Sequence, residues 1–228
     1  MAPHAIISYD DSRGDRDALM LGRVLRGGGA TLSLAYVRHA HQAQADREHL
    51  AESEAEALLS RGTTWLEEPY AERHVVLSGS TGEGLGWLAR EVDGDVIVFG
   101  SEYRTRPGHV AIGRSAETLL ENGPVALALA PAGYADAPDR QIETIGILGR
   151  TADEASIETA YSLAERLGAE VVDTDRGVDL VVVGSRAEAR IGHVMITSAA
   201  ERALEDVTAP VLILARGVPL RFETLVTA

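Results

Sequence analysis

Along the first 130 positions, apolar residues gather into short runs separated by longer stretches of helical spacing. AIISY (residues 5–9), TLSLAYV (31–37), residues 73–77, residues 95–99 and VALALA (125–130) are too short for helices and predict five strands. Between them, residues 15–26 place Ala18, Leu19, Leu21 and Leu25 on one helical face, and the glycines at 27–29 end that helix. Residues 44–66 form a long Ala/Glu-rich helix. Residues 80–92 read as a helix capped by Ser80 or Thr81, and residues 114–122 as a last one. Nearly continuous apolar strands alternating with helices predict a parallel sheet covered on both faces, an open-sheet doubly wound α/β fold.

After PAGYADAPDRQ (131–141), where prolines and glycine interrupt the pattern, a second series begins. Strands are predicted at 145–148, 180–183 and 211–214, with a further candidate at 168–172 and helices at 153–167 and 198–205. The two series are related by an offset of 84 residues. Between 95–121 and 179–205, 13 of 27 positions are identical, including Gly100/Gly184, Ser101/Ser185, Gly108/Gly192 and His109/His193. Chance does not produce such a match, so the pattern predicts a tandem duplication. The expected division is a complete unit at 1–135, a linker at 136–141, a shortened unit at 142–218 and a tail at 219–228. The second unit has six residues between Val172 and Asp179, where the first spends residues 38–93. It has therefore lost a helix, a strand and another helix, because a parallel crossover needs about a dozen residues.

Composition narrows the function. With 35 acidic against 21 basic residues the formal charge is −14, which opposes non-specific nucleic-acid binding through phosphate neutralisation. Cysteine is absent, so disulfides and thiolate metal sites are excluded. The N-terminal MAPHAIISYDD lacks the basic and long apolar regions of a secretion signal, and no apolar run reaches membrane-spanning length. A cytoplasmic protein with no membrane and no nucleic-acid partner is the expectation.

The opening strand ends in Tyr9-Asp10-Asp11-Ser12, the second in Tyr36-Val37, and VIVFGSEYRTRPGHVAIGRSAETLLENGPVALALAP follows the fourth. These segments resemble the universal stress protein family. Its pattern is Val-Asp-Gly-Ser after the first strand, His-Val at the end of the second, and Gly-x2-Gly-x9-Gly-Ser/Thr between the fourth strand and last helix. VDLVVVGSRAEARIGHVMITSAAERALEDVTAPVLILAR fits the same layout. The resemblance implies an adenine-nucleotide alpha hydrolase-like, Rossmann-like fold with strand order 3-2-1-4-5. In members that bind ATP, the ligand lies at the carboxyl ends of the strands, its phosphates at the start of the last helix. Carried onto this chain, the candidate nucleotide-binding residues are Tyr9, Asp10, Val37, Phe99, Gly100, Glu102, Tyr103, Gly113, Arg114, Ser115 and Ala116. The resemblance also implies antiparallel pairing of the two fifth strands, and so an internal pseudo-dimer of the two units. A homodimer of the whole chain and unidentified protein partners are further expectations.

The chain departs from the pattern. Tyr103 replaces the second glycine and would project a ring across the phosphate path, while Arg114 replaces the Ser/Thr. Arg114 offers phosphate a bidentate donor, with Arg104 and Arg106 nearby, or else pairs with Asp10 or Asp11 and fills an empty pocket. In the second unit Ala187 and Thr197 replace both later glycines, and Gly149 stands at the aspartate position. Two readings follow. One is a stress-response module acting by pairing and partner interaction, with a degenerate nucleotide loop and no cofactor. The other is an ATP- or AMP-binding stress protein, with Mg²⁺, using loop 100–115. No nucleophile–base pair is legible, so no enzyme is expected beyond weak ATP hydrolysis. The pyrophosphatase-type Ser-Gly-Gly-x-Asp-Ser loop is missing from 8–13. Gly79–Gly84 lacks the Lys-Ser/Thr of a P-loop and reads as a helix cap. His39 and His41 lack a third metal ligand, and His109 and His193 read as surface or interface residues. Asp10, Asp11, Asp15 and Asp17 could flank Mg²⁺, but read mostly as acids complementing a helix dipole.

Overall fold

The computed structural model describes residues 1–39, 45–102, 104–148, 153–174, 176–204 and 206–222, with the side chains of 45–51 left aside. The first half runs β1 (His4–Ser8), α1 (Asp15–Gly27), β2 (Thr31–His39), α2 (Ala45–Trp65), β3 (Glu72–Ser78), α3 (Thr81–Glu91), β4 (Val96–Gly100), α4 (Arg114–Leu120) and β5 (Ala126–Ala130). The second runs β6 (Thr144–Leu148), α5 (Glu154–Leu167), β7 (Glu170–Val172), β8 (Leu180–Val183), α6 (Ser198–Leu204) and β9 (Val211–Ile213). Each predicted helix and strand on described residues is present, with ends shifted by a residue or two. Ser80 caps α3, its hydroxyl accepting the Glu83 N–H at 3.3 Å, as the cap reading of 79–84 requires.

The nine strands form one sheet in the order β3-β2-β1-β4-β5-β9-β8-β6-β7. Within each half, neighbouring strands are parallel, and at the junction β5 meets β9 antiparallel. The first five strands take the order that the family resemblance implies. Strand period 2 sends Ala5, Ile7, Val96 and Val98 into one core layer beneath α1, α2 and α5. It sends Ile6, Ile97, Leu127 and Leu129 into the other, beneath α3, α4 and α6. Both layers cross the junction without a break, since Leu212 and Leu214 belong to the first and Val211 and Ile213 to the second.

The pairing at the junction follows the 84-residue offset. Leu127 pairs with Ile213 and Leu129 with Val211, while Ala128 faces Leu212, its own counterpart at the 84-residue offset. Beyond the strands, the Val110 N–H donates to Val207 O at 3.3 Å and the Val194 N–H to Gly123 O at 2.9 Å. Adding 84 to 110 and to 123 converts one bond into the other. The two bonds are thus reciprocal at the 84-residue offset.

The halves differ where the second is short. In the first, Ile6 on β1 shares its core layer with Leu85, Leu88 and Ala89 of α3. The corresponding position in β6 is Gly146, and the backbone after β7 folds over it. A side chain there would collide with Thr174 O and press on Val178. A turn of chain thus takes the place of a helix, and glycine makes the room.

The segment joining the halves is held by a buried carboxylate. Asp17 on α1, 6% exposed, accepts the N–H groups of Gly133 (2.9 Å) and Ala135 (2.8 Å) at a short 3-10 turn, Tyr134–Asp136. Burial raises its carboxyl above the usual carboxylate range against the pull of those donors. The sequence reading treats Asp17 as a first-turn acid or a magnesium neighbour. Its partners are instead 116 and 118 residues away.

Candidate functional site

The candidate residues converge at the carboxyl ends of β1 and β4. Tyr9 extends β1, its N–H donating to Ala35 O at 2.9 Å, and its ring is buried. Its hydroxyl donates to Asp11 Oδ1 at 3.0 Å, and burial, followed by that carboxylate, pushes the phenol up to about 12. Asp11 adopts φ +65°, a left-handed conformation that suits glycine, the family's residue at this position. It is held there by Tyr9 and by Arg61 on α2, whose Nη2 and Nε lie 2.9 and 3.2 Å from Asp11 Oδ2. The Arg61 guanidinium keeps the Asp11 carboxyl below its usual range.

Asp15, the first residue of α1, gathers the loop before it. Its carboxylate accepts the Asp10 N–H at 2.6 Å and the Ser12 N–H and hydroxyl at 3.0 Å each. Burial, and then the Asp10 charge, push the Asp15 carboxyl up to about 7. Asp10 Oδ1 accepts the Ser12 N–H at 3.0 Å, closing an Asx turn. The loop that opens the candidate site is therefore folded around the protein's own carboxylates.

The glycine motif is likewise occupied by the protein itself. A Cβ on Gly100 would collide with the Gly14 carbonyl, and one on Gly14 would lie 2.6 Å from Ser101 O. Gly100 is thus required by backbone–backbone contact between the β1–α1 loop and the end of β4. Gly113 caps α4 in an extended conformation, and a Cβ there would lie 3.3 Å from the Glu102 side chain. Ser101, 5% exposed, staples the loop: its hydroxyl donates to Ala130 O at 2.7 Å and accepts the Ala111 N–H at 3.0 Å. Val37, Phe99 and Ala116 are buried in the second core layer, with Ser115 half-buried and Glu102 and Arg114 exposed. Tyr103 lies outside the described residues, as do Gly149 and His41.

One expectation is corrected. Arg114 does not pair with Asp10 or Asp11, because Arg61 reaches Asp11 first and Asp10 is taken up by the turn. Among the described residues Arg114 forms no ion pair. The signal for Arg61 was not legible, since it lies on the polar face of α2 with no motif around it. His193, expected at a surface or interface, places Nδ1 3.1 Å from Asn122 O of the other half. Among the described residues no three His, Cys, Asp or Glu gather as a metal site would require, and no helix is long and apolar enough to cross a membrane.

In the second half, Ser185 repeats the staple: its hydroxyl donates to Leu214 O at 2.7 Å and accepts the Met195 N–H at 3.0 Å. A cavity of about 670 Å³ lies beside it, lined by Leu148, Asp153, Gly184, Arg186, Ala200 and Arg216 among others. Arg186 is paired with Glu188 at 3.0 Å, and Asp153 caps α5 by accepting the Ser156 N–H at 3.0 Å.

Comparison with known proteins matches residues 3–131 to the model of the universal stress protein family. Among solved structures, a universal stress protein from Archaeoglobus fulgidus DSM 4304 is similar at a TM-score of 0.69 and 13% identity, covering 94% of this chain and 98% of the other. A protein of unknown function from Pseudomonas aeruginosa PAO1 is similar at a TM-score of 0.59 and 11% identity, covering 93% and 92%. At these identities the two structures establish the fold alone. No curated protein matches the sequence.

Proposed function

The chain belongs to the universal stress protein family, and from that premise we propose that it works as a non-enzymatic stress-response scaffold of the cytoplasm. Its two halves act as an internal pseudo-dimer that presents surfaces to partner proteins, and its first-half nucleotide loop is a remnant. The carrying observation is the internal capture of the loop. Asp15 takes up the Asp10 and Ser12 N–H groups, so the β1–α1 loop of the candidate site is closed on the protein's own carboxylate, and the Gly14 backbone fills the space beside Gly100.

Arg114 favours the second reading, ATP or AMP binding with Mg²⁺, because it is exposed and forms no ion pair among the described residues. Calorimetric titration with Mg·ATP separates the two. The scaffold reading expects a Kd at or above about 1 mM for the unaltered chain, near −4 kcal/mol. It expects tighter binding once Tyr103→Gly and Arg114→Ser restore the family pattern. Micromolar binding by the unaltered chain, abolished by Arg114→Ser, would establish a working phosphate site.

A further inference from the structure

The described stretch after β9 has no part in either reading. After β9 the backbone turns, with the Val218 N–H donating to Ala215 O at 3.2 Å, and residues 218–222 run along α5. Their docking is made on side chains. The Leu220 N–H donates to Thr159 Oγ1 and the Phe222 N–H to Ser162 Oγ, both at 2.8 Å. Thr159 and Ser162 stand three positions apart, on one face of α5. Leu220 and Phe222 are 3% and 2% exposed and enter the first core layer with Leu25 and Leu163. The Phe222 ring packs on Gly28 beyond the end of α1, so the segment spans both halves. Between them Arg221 turns outward to Glu158, Nε to Oε1 at 2.6 Å. This is how a groove reads an extended peptide, by main-chain N–H groups and alternate side chains.

We propose that residues 218–222 are a cis-bound peptide ligand of the α1/α5 groove, exchangeable for the same segment of a second copy of this chain. Three features make the seat exchangeable. The segment follows β9 and belongs to no strand, so its departure leaves every described strand in place. Its docking bonds go to two hydroxyls on a helix and not to a ladder. Pro219 fixes one backbone angle in advance and has no N–H to satisfy, which lowers the ordering cost of docking. Exchange of an identical segment between protomers is a low-cost route to a dimer.

The absence of cysteine from the sequence allows a clean test on this chain. Ser162→Cys places a single thiol at the seat, read by its rate of reaction with an aromatic disulfide. Adding Phe222→Ser is expected to speed labelling at least tenfold. A synthetic peptide of residues 217–228 is expected to slow it again, saturably. With the unsubstituted chain, sedimentation is expected to show a dimer that grows with concentration and is dissolved by the same peptide. Amide exchange of Leu220 and Phe222, read without any substitution, should be faster than that of β5. Labelling insensitive to Phe222→Ser or to the peptide in chains that remain folded, a monomer at all concentrations, or amide protection equal to that of β5 would each overturn the proposal.

Discussion

The two halves carry the same motif segment, yet they keep it for the same reason in one respect only. Ser101 and Ser185 make identical staples, to Ala130 O and the Ala111 N–H in one half and to Leu214 O and the Met195 N–H in the other. Val110 and Val194 make reciprocal bonds across the junction. These residues are among the identities that reveal the repeat. Three positions that the family pattern reserves for nucleotide differ between the halves: Tyr103 against Ala187, Gly113 against Thr197, Arg114 against Ser198. The first glycine, Gly100 and Gly184, is kept in both. What the halves share includes the serine staples and the bonds of the seam, while the ligand pattern is incomplete in each, which is why the scaffold reading is preferred.

The largest expected effect tests whether the seam makes the halves one cooperative unit. Leu127 on β5 and Leu212 on β9 are 0% and 1% exposed. Lysine at either place would bury an ammonium among hydrocarbon, at a cost of more than about 4 kcal/mol. Because both core layers cross the junction, Leu212→Lys should unfold the first half together with the second, in a single thermal transition. Two separated transitions, with the first half unmoved, would show independent domains and break the comparison.

Next comes the buried acid with which the first half gathers its loop. The Asp15 carboxyl is pushed up to about 7 in the fold, against about 4 in the unfolded chain. Between those values the folded state holds the extra proton. The contribution is therefore fully present below about pH 4 and is lost as pH rises through 7. The loss should amount to at most about 4 kcal/mol. Denaturant titrations of the unaltered chain and Asp15→Asn at a series of pH values isolate it, and the difference between the two curves should slope only in that window. A flat difference would mean that the hydrogen bonds from Asp10 and Ser12 cancel the burial.

The paired staples should be smaller and, above all, equal. Ser101→Ala and Ser185→Ala each leave a loop N–H without its acceptor, at about 1–2 kcal/mol. Matching losses in chemical denaturation would support the repeat as a structural device. A cost confined to Ser101 would mean that the shortened half no longer depends on its loop.

How far the sequence disclosed this molecule follows from the range of each interaction. Strands and helices were legible because their apolar period is local, and the missing crossover because chain length is a hard limit. The candidate site was legible only as a motif. Asp15 turns back on Ser12 and Asp10, only three and five residues away, a contact within reach of a Ser-x-x-Asp reading; nothing local shows that Arg61 from α2 would claim Asp11 ahead of Arg114. Asp17 reads as a helix-start acid because its partners, Gly133 and Ala135, lie in another segment of the chain. Gly146 was read as part of an ordinary strand. Only the backbone lying over it explains why the missing α3 leaves no open face there.

The smallest effect bears on why the first half tolerates a non-glycine turn. Asp11 holds φ +65°, and its side chain is tied to Tyr9 and to Arg61 on α2, a helix that the second half lacks. Asp11→Gly relieves a backbone penalty of about 1 kcal/mol but gives up an exposed ion pair worth about 0.2–1 kcal/mol and the Tyr9 hydrogen bond. The sum should lie within about 1 kcal/mol of zero. Asp11→Ala gives up the same partners and keeps the strain, so it should be less stable than the glycine variant by about 1 kcal/mol. Paired urea melts resolve that difference because the two variants share every other term. If alanine and glycine prove equal, the left-handed turn is not strained, and Asp11 is kept by its ties to α2 alone.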